Sequence, residues 1–155
     1  MAAVKKIATR QYQRIVQEAI KPAAELALPA PGWLWTVRNA LSMSGAQLAR
    51  RLGATRAWIN RTEKAELNGS VTLKTMQGMA AAMGCRFVYA IVPATGGVDD
   101  LIRTQARKKA AQLVAKTNTQ MALEAQALSL EQIDYEIDRL AREMVETMPS
   151  DFWEE

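Results

Sequence analysis

Residues 56–61 read Arg56-Ala57-Trp58-Ile59-Asn60-Arg61. An arginine carries a planar fork of N–H donors that matches guanine O6 and N7. An asparagine amide matches adenine N6 and N7 in the same bidentate way. Ala57 offers the small apolar contact that a thymine methyl accepts. Arg61 has the reach for either a base or a phosphate. Arg56, Ala57, Asn60 and Arg61 are therefore the candidate base-reading residues. Ser44, Gln47, Thr55, Lys64 and Lys74 form a second group, at expected helix starts and edges. Donors in such places hold phosphates and fix register without reading sequence. Trp58 has two open roles, packing on the preceding helix or wedging against a sugar.

Two short helices at a fixed angle must position these side chains. Ser44-Gly45-Ala46-Gln47 has the S-x-x-Q form of a capping box. The hydroxyl takes an orphan backbone N–H, and the Gln reaches back to the cap. A short helix over 47–52 follows, and Gly53 ends it with a residue that tolerates positive φ. Thr55 then caps a helix over 56–65. Ala49 must be small where the second helix crosses, and Leu48 and Ile59 close the core between the two. This is the requirement of a helix-turn-helix, whose second helix lays its N-terminal part in the major groove of DNA. The bland alternative makes Leu48, Ala49, Leu52 and Ile59 core and Arg50, Arg51 and Arg56 a solvated face. A helix-turn-helix also serves for protein contact alone.

The rest of the chain reads as mainly helical in three parts. Ile7, Ile15, Val16, Ala19 and Ile20 share a helical stripe that Lys21-Pro22 interrupts, and Pro29 to Gly32 reads as a linker. Residues 1–31 are thus an N-terminal helical arm. Residues 32–93 form the DNA-binding domain. Its first helix carries Leu34, Val37, Ala40 and Leu41 inward, with Trp33 and Trp35 assigned to the core. Asn68-Gly69 is a turn, and Thr72 caps a Met-rich core helix over 73–83. Residues 85–93 are β-branched and aromatic, short, and followed by Pro93, which reads as a strand. A solitary strand has no internal partner for its backbone groups. Phe87, Val88, Tyr89, Ala90 and Ile91 are therefore expected to pair with the same strand of a second subunit in a homodimer. Residues 94–155 are a helical, acidic C-terminal region. A helix spans 98–116 and continues, straight or bent, to 127. Ser129-Leu130-Glu131-Gln132 is a second capping box and opens a helix to 148.

At residues 32–92 the order of helices resembles the Cro/C1-type (XRE) DNA-binding domain, which implies a lambda-repressor-like fold. Over most of the chain the likeness extends to a second family. Pro31-Gly32-Trp33, Ser44-Gly45-Ala46-Gln47-Leu48-Ala49, Thr72-Leu73-Lys74-Thr75, Cys85-Arg86-Phe87-Val88-Tyr89-Ala90 and Met121-Ala122-Leu123-Glu124 resemble the mobile mystery protein A family. That family is typically encoded beside a Fic-domain protein on mobile elements. The resemblance implies a bacterial regulator; the motif at 44–63, the basic front half and the expected strand dimer point to a repressor, of its own operon, on a palindromic operator. By neighbourhood it also implies the antitoxin of a Fic-type toxin–antitoxin pair. Some Fic proteins are silenced by a helix with S/T-x-x-x-E followed by Gly or Asn. Here Ser150-x-x-x-Glu154 fits the first part, and Glu155 breaks the last position. Phe152, Trp153 and Glu154 are the candidate partner-binding residues; in the bland alternative the helix over 130–148 packs intramolecularly or against its twin, and the tail is frayed. In the alternative reading the C-terminal helices neutralise a toxin and DNA binding is secondary.

Charge divides the chain in the same sense. Residues 1–92 hold 13 Lys and Arg against 4 Asp and Glu. Residues 118–155 hold 2 against 10. Basic residues on DNA release counterions, and an acidic surface suits a basic partner. Among 155 residues there is no histidine and a single cysteine, Cys85. That removes the commonest general base and metal ligand, an internal disulfide and any cysteine-based zinc site. Asp134 and Asp138, four apart on a helix, read as a solvated face. The chain is read as no enzyme, with no catalytic residue, metal or cofactor. No apolar run approaches the roughly 18 residues of a membrane span. The first 14 residues are too polar for a signal peptide. The expectation is a soluble, cytoplasmic protein.

Overall fold

Seven helices account for all the regular structure of the computed structural model, which describes residues 1–155. They are α1 (Ala2–Glu25), α2 (Trp33–Ala40), α3 (Gly45–Leu52), α4 (Arg56–Asn68), α5 (Leu73–Ala82), α6 (Val98–Leu123) and α7 (Leu130–Thr147). The fold is mainly α. The chain divides into two compact units, Pro22–Ala90 on one hand and Met1–Lys21 with Ile91–Glu155 on the other. These boundaries differ from the 31/32 and 93/94 divisions read from the sequence. α1 continues through Pro22 to Glu25 rather than breaking at Lys21-Pro22. In addition, Gln17 Oε1 accepts a 3.2 Å hydrogen bond from the Val98 N–H, tying the arm to the start of α6.

The unit Pro22–Ala90 closes on a core of Leu34, Leu48, Ala49, Ile59, Met76, Met79 and Met83. The starts of α3, α4 and α5 follow from local caps. Ser44, Thr55 and Thr72 accept from the backbone N–H three residues on, and the Ser44–Gln47 box is complete. Gly53 and Gly69, at φ 63° and 76°, end α3 and α4 in the left-handed region that glycine adopts without strain. Trp33 and Trp35 depart from expectation: they stay 37% and 43% exposed. They flank the buried Leu34, so each is rotated about 100° away from it around a short helix.

Carboxylates of α4 fix α2. Arg38 forks onto Glu63, its Nε and Nη2 donating to Oε1 and Oε2 at 2.6 and 3.2 Å. Its Nη1 donates to the Met43 carbonyl at 3.0 Å. The pair is close to sealed, at 11% and 9% side-chain exposure. Glu66 accepts from the Trp33 and Leu34 N–H groups at 2.6 and 2.9 Å, a negative charge at the N-terminus of α2. Gly32 permits that approach. Its φ is 87°, and a Cβ there would stand 2.9 Å from Glu66 Oε2.

Residues 85–93 form no strand, which corrects the sequence reading for the single chain. Residues 86–96 enter no backbone hydrogen bond outside the helices. Phe87 nonetheless packs on the core, and its ring stacks on Tyr89 with centroids 5.8 Å apart.

In the other unit α6 packs on α7, with Ala106, Ala110 and Val114 buried along α6. Arg107 pairs with Asp138 between them. No helix of the chain is long and apolar enough to cross a membrane.

Replacing Arg38 with Met leaves the Glu63 carboxylate buried without a partner. We expect the variant to lose about 3–5 kcal/mol of unfolding free energy, read from urea unfolding. The double change Arg38→Met, Glu63→Leu should recover most of that loss.

Candidate nucleic-acid interface

The first turns of α4 separate two sets of side chains. Ile59, Thr62 and Glu63 face inward and are buried. Arg56, Ala57, Asn60 and Arg61 are all exposed. The spacing explains this: 56 and 60, and 57 and 61, are i,i+4 pairs that stack in two adjacent columns on the outer surface. Neither Arg56 nor Arg61 enters an ion pair, so both guanidinium forks are available. Trp58 is half-buried and packs against the core cluster.

Gly45 brings the start of α3 beside this surface. A methyl at Gly45 would stand 3.6 Å from Arg56 Cγ and 3.9 Å from Asn60 Oδ1. Ser44 and Gln47, expected on phosphates, flank that contact. Their caps leave donors free. Gln47 Oε1 accepts from the Ser44 N–H at 2.7 Å, so its amide NH₂ is uncommitted. Ser44 Oγ accepts from the Gln47 N–H at 3.1 Å and keeps its own hydrogen to donate. Thr55 Oγ1 does the same with the Trp58 N–H at 3.1 Å. Lys64 is exposed one turn beyond Asn60 on α4. Lys74, on the first turn of α5, is exposed but bonds to none of these residues.

Two cations outside the sequence-derived set belong to the same surface. Arg50 and Arg51 share the outer face of α3 with Gln47. These three, with Leu41, Ser42 and Met43, line an open hollow of about 530 Å³. Arg51 also donates to the Ala82 carbonyl at 3.1 Å. The signal was present as the i,i+3 and i,i+4 spacing from Gln47. Carboxylates are scarce by contrast. The unit Pro22–Ala90 contains only Glu25, Glu63 and Glu66, and the last two are engaged with α2. The outer faces of α3 and α4 thus present donors and cations with no competing acid.

Comparison with protein-family models, curated proteins and solved structures finds no match to this chain.

The C-terminal candidates separate. Phe152 is 1% exposed, so it is an anchor within its own unit and is withdrawn as a partner contact. Trp153 and Glu154 remain exposed, and Trp153 packs edge-on against Phe152 at 5.0 Å. The tail is not frayed. Gln105 Nε2 donates to the Phe152 carbonyl at 2.7 Å, and Lys109 pairs with Asp151 at 3.1 Å. Gln105 and Lys109 lie one turn apart on α6. The Lys109 hydrogen bond holds the Asp151 carboxyl below its ordinary 3.8.

A lowered carboxyl value stabilises the docked tail above the unfolded value. That contribution disappears as pH falls through the lower folded value. The Trp153 indole N–H resonance should hold its folded position from neutral pH down to about the ordinary carboxyl value, then move toward the unfolded position in acid. In Lys109→Met it should lie nearer the unfolded position at neutral pH.

Proposed function

We propose that α3 and α4 form a lambda-repressor-like helix-turn-helix, and that the chain is a sequence-specific, double-stranded-DNA-binding transcriptional regulator that represses its own operon. One observation carries this reading. The N-terminal half of α4 turns Arg56, Ala57, Asn60 and Arg61 outward while Ile59, Thr62 and Glu63 anchor the opposite side. An α-helix so exposed fits the width of the major groove.

In this mechanism Arg56 donates bidentately to a guanine and Asn60 pairs with an adenine, while Ala57 meets a thymine methyl. Arg61 reaches a base or the nearest phosphate. Gln47, fixed by its bond to the Ser44 N–H, points an amide at a phosphate. Ser44, Thr55, Lys64 and Lys74 complete the backbone contacts. Arg50 and Arg51 extend the cationic surface along α3. These contacts orient the helix, and the α4 side chains then discriminate between bases.

Selection of bound duplexes from random oligonucleotides should return one preferred sequence. Arg56→Ala should cost about 1–3 kcal/mol on that sequence and relax one position. Lys64→Ala should weaken preferred and random DNA alike and flatten the salt dependence by about one phosphate's worth. Equal loss on preferred and random DNA for Arg56→Ala would remove base reading from that residue.

A further inference from the structure

We propose that the N-terminal half of α1 docks on the start of α7 in a second copy of the chain. The first reason is the state of α1. None of its 24 residues is buried. Val4, Ile7, Tyr12 and Ile15 stay 59–69% exposed. At 100° per residue these four fall within about 140° around the helix, one continuous apolar side. Lys5 and Arg10 border that side, and neither enters an ion pair. An apolar surface rimmed in this way marks an interaction site. The second reason is the start of α7. Leu130 and Tyr135 are 83% and 63% exposed. Glu131 and Asp134 lie between them around the helix, and both are free of ion pairs. Leu128, Glu131, Gln132, Tyr135 and Glu136 line a hollow of about 370 Å³ there.

The two surfaces complement each other. Residues 1–17 hold four cations, Lys5, Lys6, Arg10 and Arg14, and no acid, whereas residues 118–155 hold 2 cations against 10 acids. Each surface joins exposed apolar side chains to unpaired charge, of opposite sign on the two helices. Such complementarity fixes which faces meet. Duplex DNA would take the cations of α1 and leave Val4, Ile7, Tyr12 and Ile15 in water. The chain's own α1 falls short of the site. Gln17 is tied to Val98 at the start of α6, and Val4 lies about 20 Å from Gln17 along α1. The Arg107–Asp138 and Asn118–Leu128 contacts set α7 antiparallel to α6. Leu130 is eight residues before Asp138 and so stands level with Ala115, eight after Arg107. Ala115 is about 25 Å along α6 from Val98. A second copy is under no such limit. The contact does not depend on DNA.

The test cross-links the full chain without DNA, so that its failure is separate from failure of base reading. In a Cys85→Ser background one pool carries Ile7→Cys and another carries Leu130→Cys, both at exposed positions. Tyr12→Cys and Tyr135→Cys, also exposed, make a second pair of pools. A flexible bismaleimide should join mixed pools into a species of twice 17.1 kDa, and either pool alone should give far less. Lys5→Glu with Arg10→Glu in the α1 pool should lower that yield about tenfold, and Glu131→Lys with Asp134→Lys in the α7 pool should then restore it. Absence of the mixed species from both pairs, or a yield indifferent to the charge reversal, overturns the proposal. So does a chain carrying both Ile7→Cys and Leu130→Cys that bridges within itself in preference to a neighbour.

Discussion

A buried guanidinium–carboxylate fork between Arg38 and Glu63 holds the unit Pro22–Ala90 in register. Such a pair is costly to desolvate and returns little net stability against an apolar replacement. Its value lies in direction. The two donors of Arg38 accept only one arrangement of the Glu63 oxygens, and its third donor takes the Met43 carbonyl just before α3. One side chain of α2 therefore fixes the middle of α4 and the entry to α3. Glu66, one turn further along α4, closes the N-terminus of α2. Hydrophobic contact among Leu34, Leu48 and Ile59 would tolerate sliding or rotation of these helices. The charged fork does not.

That arrangement has an electrostatic consequence. The acids of α4 point at α2, and its free cations point at solvent. A carboxylate among Arg56, Arg61 and Lys64 would repel phosphate and compete for the guanidinium forks. Directing Glu63 and Glu66 inward uses the same two residues to build the fold and to clear the outer surface. The caps have a similar double use. Ser44, Gln47 and Thr55 satisfy backbone groups with their acceptor atoms and retain donor hydrogens for an anion.

Features that depend on neighbours in the chain were legible in the sequence. The hydroxyls of Ser44, Thr55, Thr72 and Ser129 accept from an N–H three residues on, at 3.1, 3.1, 3.1 and 3.2 Å. The helix starts of α3, α4, α5 and α7 follow from them. The outward placement of Arg56, Ala57, Asn60 and Arg61 followed from a 3.6-residue period with Ile59 inward. Distant contacts were not legible. Arg38 and Glu63 lie 25 residues apart, and Gln105 meets the Phe152 carbonyl across 47. Nothing local told a sealed aromatic at 152 from an exposed one at 153. The strand at 85–93 failed in the single chain for a related reason. A β propensity is fulfilled only by a partner, and no other part of this chain supplies one.

Base reading requires an unstrained helix held at both ends, since a bidentate contact tolerates little displacement. The Thr55 cap sets the first turn of α4, the Gly69 left-handed cap ends the last, and Glu63 and Ile59 hold the centre. Trp58 adds a wide apolar body beneath the first turn, next to the exposed Ala57. A large side chain on the outer face would keep the backbone away from a base edge, whereas Ala57 lets it approach. The alternation of Trp58 inward and Ala57 outward thus gives α4 both purchase on the core and a close approach. In the proposed complex, Arg56 and Asn60, one turn apart and both exposed, would reach neighbouring bases without bending the helix.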